Sequence, residues 1–124
     1  MRLFHFVPKP LWPALSGPEF HPPSLASEGF VHLSRAHQLA GTLKAHFASV
    51  ERVLLIEIDP KPLGADLRME ASRGGEDFPH LYRALRRAEI LHGWRLSFGP
   101  QGLLPPDLEE TDAQLALNEF WPRQ

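Results

Sequence analysis

Three histidines stand in strand-like settings with apolar or aromatic neighbours: His5 in Leu3-Phe4-His5-Phe6-Val7, His32 in Phe30-Val31-His32-Leu33, and His80 in Phe78-Pro79-His80-Leu81-Tyr82. Imidazole titrates near neutrality, donates and accepts hydrogen bonds, and moves protons. Three such rings in a chain of 124 residues point to one shared pocket. Phe78, His80 and Tyr82 fall on one face of an extended segment, and aromatic faces suit flat ligands. A carboxylate, Glu70 or Glu76, is expected to orient a ribose or to stabilise a developing cation. The plainer alternative for each histidine is a core ring bonded to a backbone carbonyl, since buried polar groups are normally satisfied.

Other chemistries are disfavoured by what the chain lacks. With no cysteine there is no disulfide, no thiolate catalysis and no cysteine-based zinc site. Among His5, His32 and His80 there is no His-x-His or His-x-x-x-His pair, so no metal is assigned. No Gly-x-Ser-x-Gly elbow, P-loop or Gly-x-Gly-x-x-Gly run occurs. A formal net charge of −2 argues against charge-driven nucleic-acid binding. No apolar run is long enough for a membrane helix and no secretory signal opens the chain, so the expected location is the cytoplasm.

The elements that must position these residues follow from periodicity. Leu3–Val7 alternates as an opening strand, with Leu3, His5 and Val7 on one face. Residues 8–23 form a proline-rich crossover with one helical turn around Leu11–Leu15. Gly29 supplies backbone freedom before the strand 30–33, which puts Phe30 and His32 on one face. Ser34 is expected to cap a helix over residues 35–48, on which Leu39, Leu43 and Phe47 recur at four-residue spacing and His37 and His46 face solvent. Val53–Ile58 reads as a central strand covered on both faces. Leu67–Glu70, Phe78–Tyr82 and Ile90–Leu96 are further strands, the last with a possible bulge at Gly93. Residues 72–77 form a loop, residues 99–106 a link, and Asp107–Trp121 a C-terminal helix. The expected class is α+β: a single compact domain of split, mostly antiparallel β-sheets with flanking helices.

Several blocks resemble the bacterial family of domain of unknown function 952: Phe4-His5, Pro23-Ser24-Leu25, Ser27–Ser34, Leu54–Asp59 and Phe78–Tyr82. The resemblance covers residues 2–96. It implies a compact relative of the ADP-ribosyltransferase fold, whose split sheets clasp nicotinamide dinucleotide (NAD). Residues 1–96 would form that core, and 97–124 an extension whose helix packs on the core or on a second subunit. Carried onto this sequence, His5 would meet the nicotinamide-side ribose, and His32 with Ser34 would lie beside the nicotinamide. The third motif of the well-studied transferases, a glutamate, has no secure match here; Glu70 is the candidate by position in the chain. The expectation is thus a nucleotide-like ligand, NAD or another ADP-ribose-like molecule, held by a monomer or homodimer. His5, His32 and Glu70 would be catalytic in glycosyl transfer at the ribose C1′, and Ser34, Phe78, His80 and Tyr82 would bind the cofactor. The alternatives are a non-catalytic nucleotide or peptide binding module and, third, a histidine–metal hydrolase.

Overall fold

Six consecutive buried residues, Val53 to Ile58, make the middle strand of the largest sheet. In the computed structural model, which describes residues 1–72, 74–109 and 113–123, strand β4 (Arg52–Ile58) lies between β1 (Leu3–Pro8) and β8 (Ile90–Ser97), antiparallel to both. Alternation along β4 sends its side chains into two cores. Leu54, Ile56 and Ile58 pack with Leu3, Val7, Phe20, Val31, Leu33 and Leu81. Val53 and Leu55 pack with Phe4, Phe6 and Trp94, under Leu39 and Leu43 of helix α2 (Leu39–His46). A strand with apolar residues on both faces needs such cover on both sides.

A second antiparallel sheet, in the order β3-β6-β5, is built from β3 (Val31–His32), β5 (Leu67–Ala71) and β6 (Asp77–Leu81). Its inward side, with Val31 and Leu81, closes the first core. A two-residue ladder joins β2 (Glu19–Phe20) to β7 (Leu85–Arg86). The chain is therefore α+β with mostly antiparallel sheets and a few helices. No helix among the described residues is long and apolar enough to cross a membrane.

Several elements differ from the sequence reading. Pro23–Glu28 forms a short helix, α1, between the proline-rich crossover and the strand at 30–33, where the sequence marked no element. Gly29, at φ 90°, ends it and turns the chain into β3, a backbone region that glycine enters freely. The helix expected over 35–48 is divided into one 3-10 turn, Ala36–Gln38, and α2. Ser34 does not cap it. Its backbone N–H and C=O both bond to Phe4 at 2.8 Å, and its hydroxyl lies 3.1 Å from that of Thr42. The Gln38 side chain instead accepts the Arg35 N–H at 2.9 Å. The irregularity in β8 falls opposite Glu57 and Ile58, where Leu91 is passed over, and not at Gly93.

Gly93 has another reason. A Cβ there would lie 3.0 Å from the Cβ of Leu117, so the missing side chain lets helix α3 (Ala113–Phe120) approach β8. Leu117 and Trp121 are fully buried in the first core, and the Trp121 indole N–H donates to Gly17 O at 2.8 Å. Arg87 donates from Nε to Trp121 O at 2.5 Å, which satisfies a carbonyl just past the end of α3.

Candidate functional site: a ring cluster on the second sheet

Register and alternation on the second sheet assemble the site. His32 on β3 pairs directly with His80 on β6, and His80 pairs with Arg68 on β5, so the three form a row across the sheet. Glu70 pairs with Phe78 and lies diagonal to His80. Pro79 and Leu81 point the other way and are buried. The His32 and His80 rings meet edge to face with centroids 5.4 Å apart. Phe30 stacks on His80 at 4.1 Å and 20°, and also touches His32 (4.8 Å) and Tyr82 (5.4 Å). Phe30, just past the turn at Gly29, is held there by its carbonyl, which accepts from Ser24 Oγ at 2.8 Å.

Glu70 is the polar centre. Its Oε1 lies 3.0 Å from His80 Nδ1 and accepts the Tyr82 hydroxyl at 2.5 Å. The Tyr82 bond first, and the His80 bond second, hold the Glu70 carboxyl below its ordinary range. The same bond to Glu70 holds the Tyr82 phenol above its own. The Arg68 guanidinium lies over the Tyr82 ring, 4.5 Å from its centroid. On the far side, His32 Nε2 meets Glu28 Oε2, from the last residue of α1, at 2.8 Å. The His32 side chain is 52% exposed, and that of His80 only 10%.

The sequence-predicted residues separate into three groups. His32, His80, Tyr82 and Glu70 come together, and Phe78 shares their face, opposite Glu70 in register. His5 does not join its ring to theirs. It is buried beside Phe20, with ring centroids 6.3 Å apart, and bonds through Nδ1 to the carbonyl of His32 at 2.8 Å. A carbonyl only accepts, so Nδ1 carries the hydrogen. Burial, set against that bond, pushes the His5 imidazole down to about 4. A neutral His5 thus holds β3 through its backbone. Ser34 is the third case, committed to Thr42 and Phe4.

Glu76 lies in a separate cluster. It meets His37 Nε2 at 2.5 Å and Arg35 at 3.7 Å, while Gln38 and Arg35 both donate to Asp77 O. These contacts tie the β5–β6 hairpin to the start of α2. His37 is thus exposed, as expected, yet bonded. Among the described residues no group of three or more His, Cys, Asp or Glu is placed to hold a metal ion.

Two members of the ring cluster were missed in the sequence. Glu28 reaches His32 only because Gly29 folds the chain back between them. Arg68 carried a signal, since it alternates with Glu70 on one face of β5.

A model of a protein family of unknown function, DUF952, matches residues 6–92. The chain belongs to the DUF952 family. The match runs from the second half of β1 to the first three residues of β8 and takes in the whole of the second sheet. Among solved structures, the DUF952 chain is similar to the crystal structure of protein CC0527 from Caulobacter crescentus. The two share 31% identity over 83% of this chain and 92% of that one, with a TM-score of 0.74. The solution NMR structure of CC0527 gives 31% identity over 82% and 90%, with a TM-score of 0.69. No curated protein matches the chain.

Proposed function

We propose that the ring face of the second sheet binds an ADP-ribose-like nucleotide, with NAD as the first ligand to try, and that the domain is a compact relative of the ADP-ribosyltransferase fold. One observation carries the reading: His32, His80, Phe30 and Tyr82 meet on one face around an ionised Glu70, with Arg68 alongside. Flat rings suit a base or nicotinamide, imidazoles suit ribose hydroxyls, and a guanidinium suits a diphosphate. The half-exposed His32 is the group placed to touch the ligand first.

If the site is catalytic, the reaction is glycosyl transfer at the ribose C1′. The C1′–N bond to nicotinamide breaks and its electron pair leaves on the ring nitrogen. An acceptor bonds to C1′ and gives up a proton. The anionic Glu70 favours the positive charge that develops on the ribose. A non-catalytic nucleotide-binding module is the second reading. It is favoured by the commitment of Glu70 Oε1 to two donors within the protein, which offsets part of that charge.

Calorimetry with NAD and with ADP-ribose, on the wild type and on His32→Ala, tests the binding. Heat from the wild type, and at least a tenfold weaker affinity in the variant (about 1.4 kcal/mol), is the expected result. Equal heats in both, or none in either, removes the proposal. Nicotinamide release followed by mass spectrometry separates the enzyme from the binding module.

A further inference from the structure

We infer that His80 Nε2 is the proton acceptor of this site, kept bare by Glu70, and that the group it deprotonates is a hydroxyl, from water or an alcohol. The inference rests on the nucleotide reading above for its reaction, and on the hydrogen bonds around an ionised Glu70 for the state of the ring.

The hydrogen positions follow from the partners. Glu70 is held as a carboxylate, so its Oε1 can only accept. His80 Nδ1, 3.0 Å away, therefore carries a hydrogen. In a neutral imidazole the other nitrogen, Nε2, is then a lone pair. Tyr82 donates to the same oxygen at 2.5 Å and fixes the carboxylate from a second side. Tyr82, Glu70 and His80 thus form a chain of hydrogen bonds that ends on Nε2. A carboxylate that orients an imidazole in this way is the arrangement that makes its far nitrogen a base.

Nε2 is also reachable. The sealed side-chain polar atoms without a partner, among the described residues, are Arg35 Nε, Arg87 Nη1 and Trp94 Nε1. Among the described residues His80 Nε2 has no hydrogen-bond partner, and it is not one of these sealed atoms, so it touches solvent although the residue is only 7% exposed. Phe30 stacked on the ring limits access to its edge. The charged and titratable groups facing His80 are Glu70 and Arg68 from β5, Tyr82 beyond the end of β6, and His32 from β3 with Glu28 behind it. His32 differs in kind. Its Nε2 is occupied by Glu28 and its ring is half exposed, which suits contact with the ligand.

In the step, the acceptor O–H gives its proton to Nε2 as its oxygen bonds to C1′. The C1′–N bond breaks with its electron pair leaving on nicotinamide, and His80 returns the proton to solvent. Tyr82 acts as a positioning residue, and Glu70 orients His80 in addition to favouring the positive charge on the ribose.

The test has two arms on the full chain. In the first, two-bond proton–nitrogen spectra of the ligand-free protein at mildly alkaline pH report the tautomer. A bare Nε2 with hydrogen on Nδ1 is expected, and hydrogen on Nε2 overturns the inference whatever the ligand. In the second, NAD binding by calorimetry and nicotinamide release against pH are measured for the wild type, His80→Gln and Glu70→Gln. With release measured at saturating NAD, so that any loss of affinity is set aside, His80→Gln is expected to lower it by about a hundredfold or more and to lose the acidic limb of the profile. Glu70→Gln, which keeps the shape of the side chain, is expected to lower release at least tenfold and to displace that limb. Full release with an unchanged limb in His80→Gln, or wild-type binding without release, overturns the base role. No wild-type binding at all removes the nucleotide reading, and the spectrum then decides the state of Nε2 alone.

Discussion

His5 makes the fold sensitive to acid by an amount that can be worked out. Its buried imidazole is pushed from 6.5 to about 4 in the folded chain. The unfolded chain therefore takes up the proton first as pH falls. Stabilisation from the neutral ring is fully present above the unfolded value and is lost progressively as pH falls toward 4. Integrating the two titrations gives a loss of about 2 kcal/mol at pH 5 and about 3 kcal/mol at pH 4, relative to mildly alkaline conditions. The residue keeps 9% of its surface exposed, so these are upper figures. His5→Gln removes the titration yet can still donate to the His32 carbonyl. Urea unfolding of both proteins between about pH 7.5 and pH 5 isolates the residue, because the other histidines cancel in the difference. The wild type is expected to lose roughly 2 kcal/mol more than the variant across that range. Parallel curves, or a variant that loses more, would refute the reasoning.

Three further outcomes follow from particular contacts. Gly93→Ala places a Cβ 3.0 Å from Leu117 Cβ, an atom next to the α3 backbone that cannot swing aside. Urea unfolding is expected to show a cost of about 1–3 kcal/mol, and a change under about 0.5 would count against close packing of α3 on β8. Gly29→Ala forces a side chain into φ 90°, with an expected cost of about 1–2 kcal/mol; an unchanged midpoint would mean that the turn out of α1 relaxes without penalty. Tyr82→Phe removes the hydrogen bond that does most to lower the Glu70 carboxyl, so a carbon-detected titration should find Glu70 moved upward toward its ordinary range. No movement would show that the 2.5 Å bond does not persist in solution.

Much of the frame was legible because its patterns are long. The apolar run Val53–Ile58 and the alternating Leu3–Val7 and Ile90–Leu96 segments announce β4, β1 and β8. The shared face of Phe78, His80 and Tyr82 was legible for the same reason. Short elements were not. The six residues of α1 begin inside a proline cluster and bury none of their side chains, so no period marks them. β2 and β7, two residues each, carry no pattern. Serine favours N-caps, but Ser34 is held by a backbone bridge to Phe4, a long-range contact that local preference cannot register. His5 shares its strand face with Leu3 and Val7, which does point to the core; its bond to the carbonyl of His32 needs the sheets to be assembled first. Glu28 needs the turn at Gly29 before it can meet His32.

The central claim is that the Phe30, His32, Arg68, Glu70, His80 and Tyr82 face is where a nucleotide binds. Amide and side-chain shift mapping of the full chain during titration with NAD tests it most directly. Saturable shifts centred on β3, β5 and β6 around those six residues are predicted. Shifts centred instead on the shallow depression of about 420 Å³ between Pro8–Pro10 and Ser49–Arg52, or no saturable shifts at all, would contradict it.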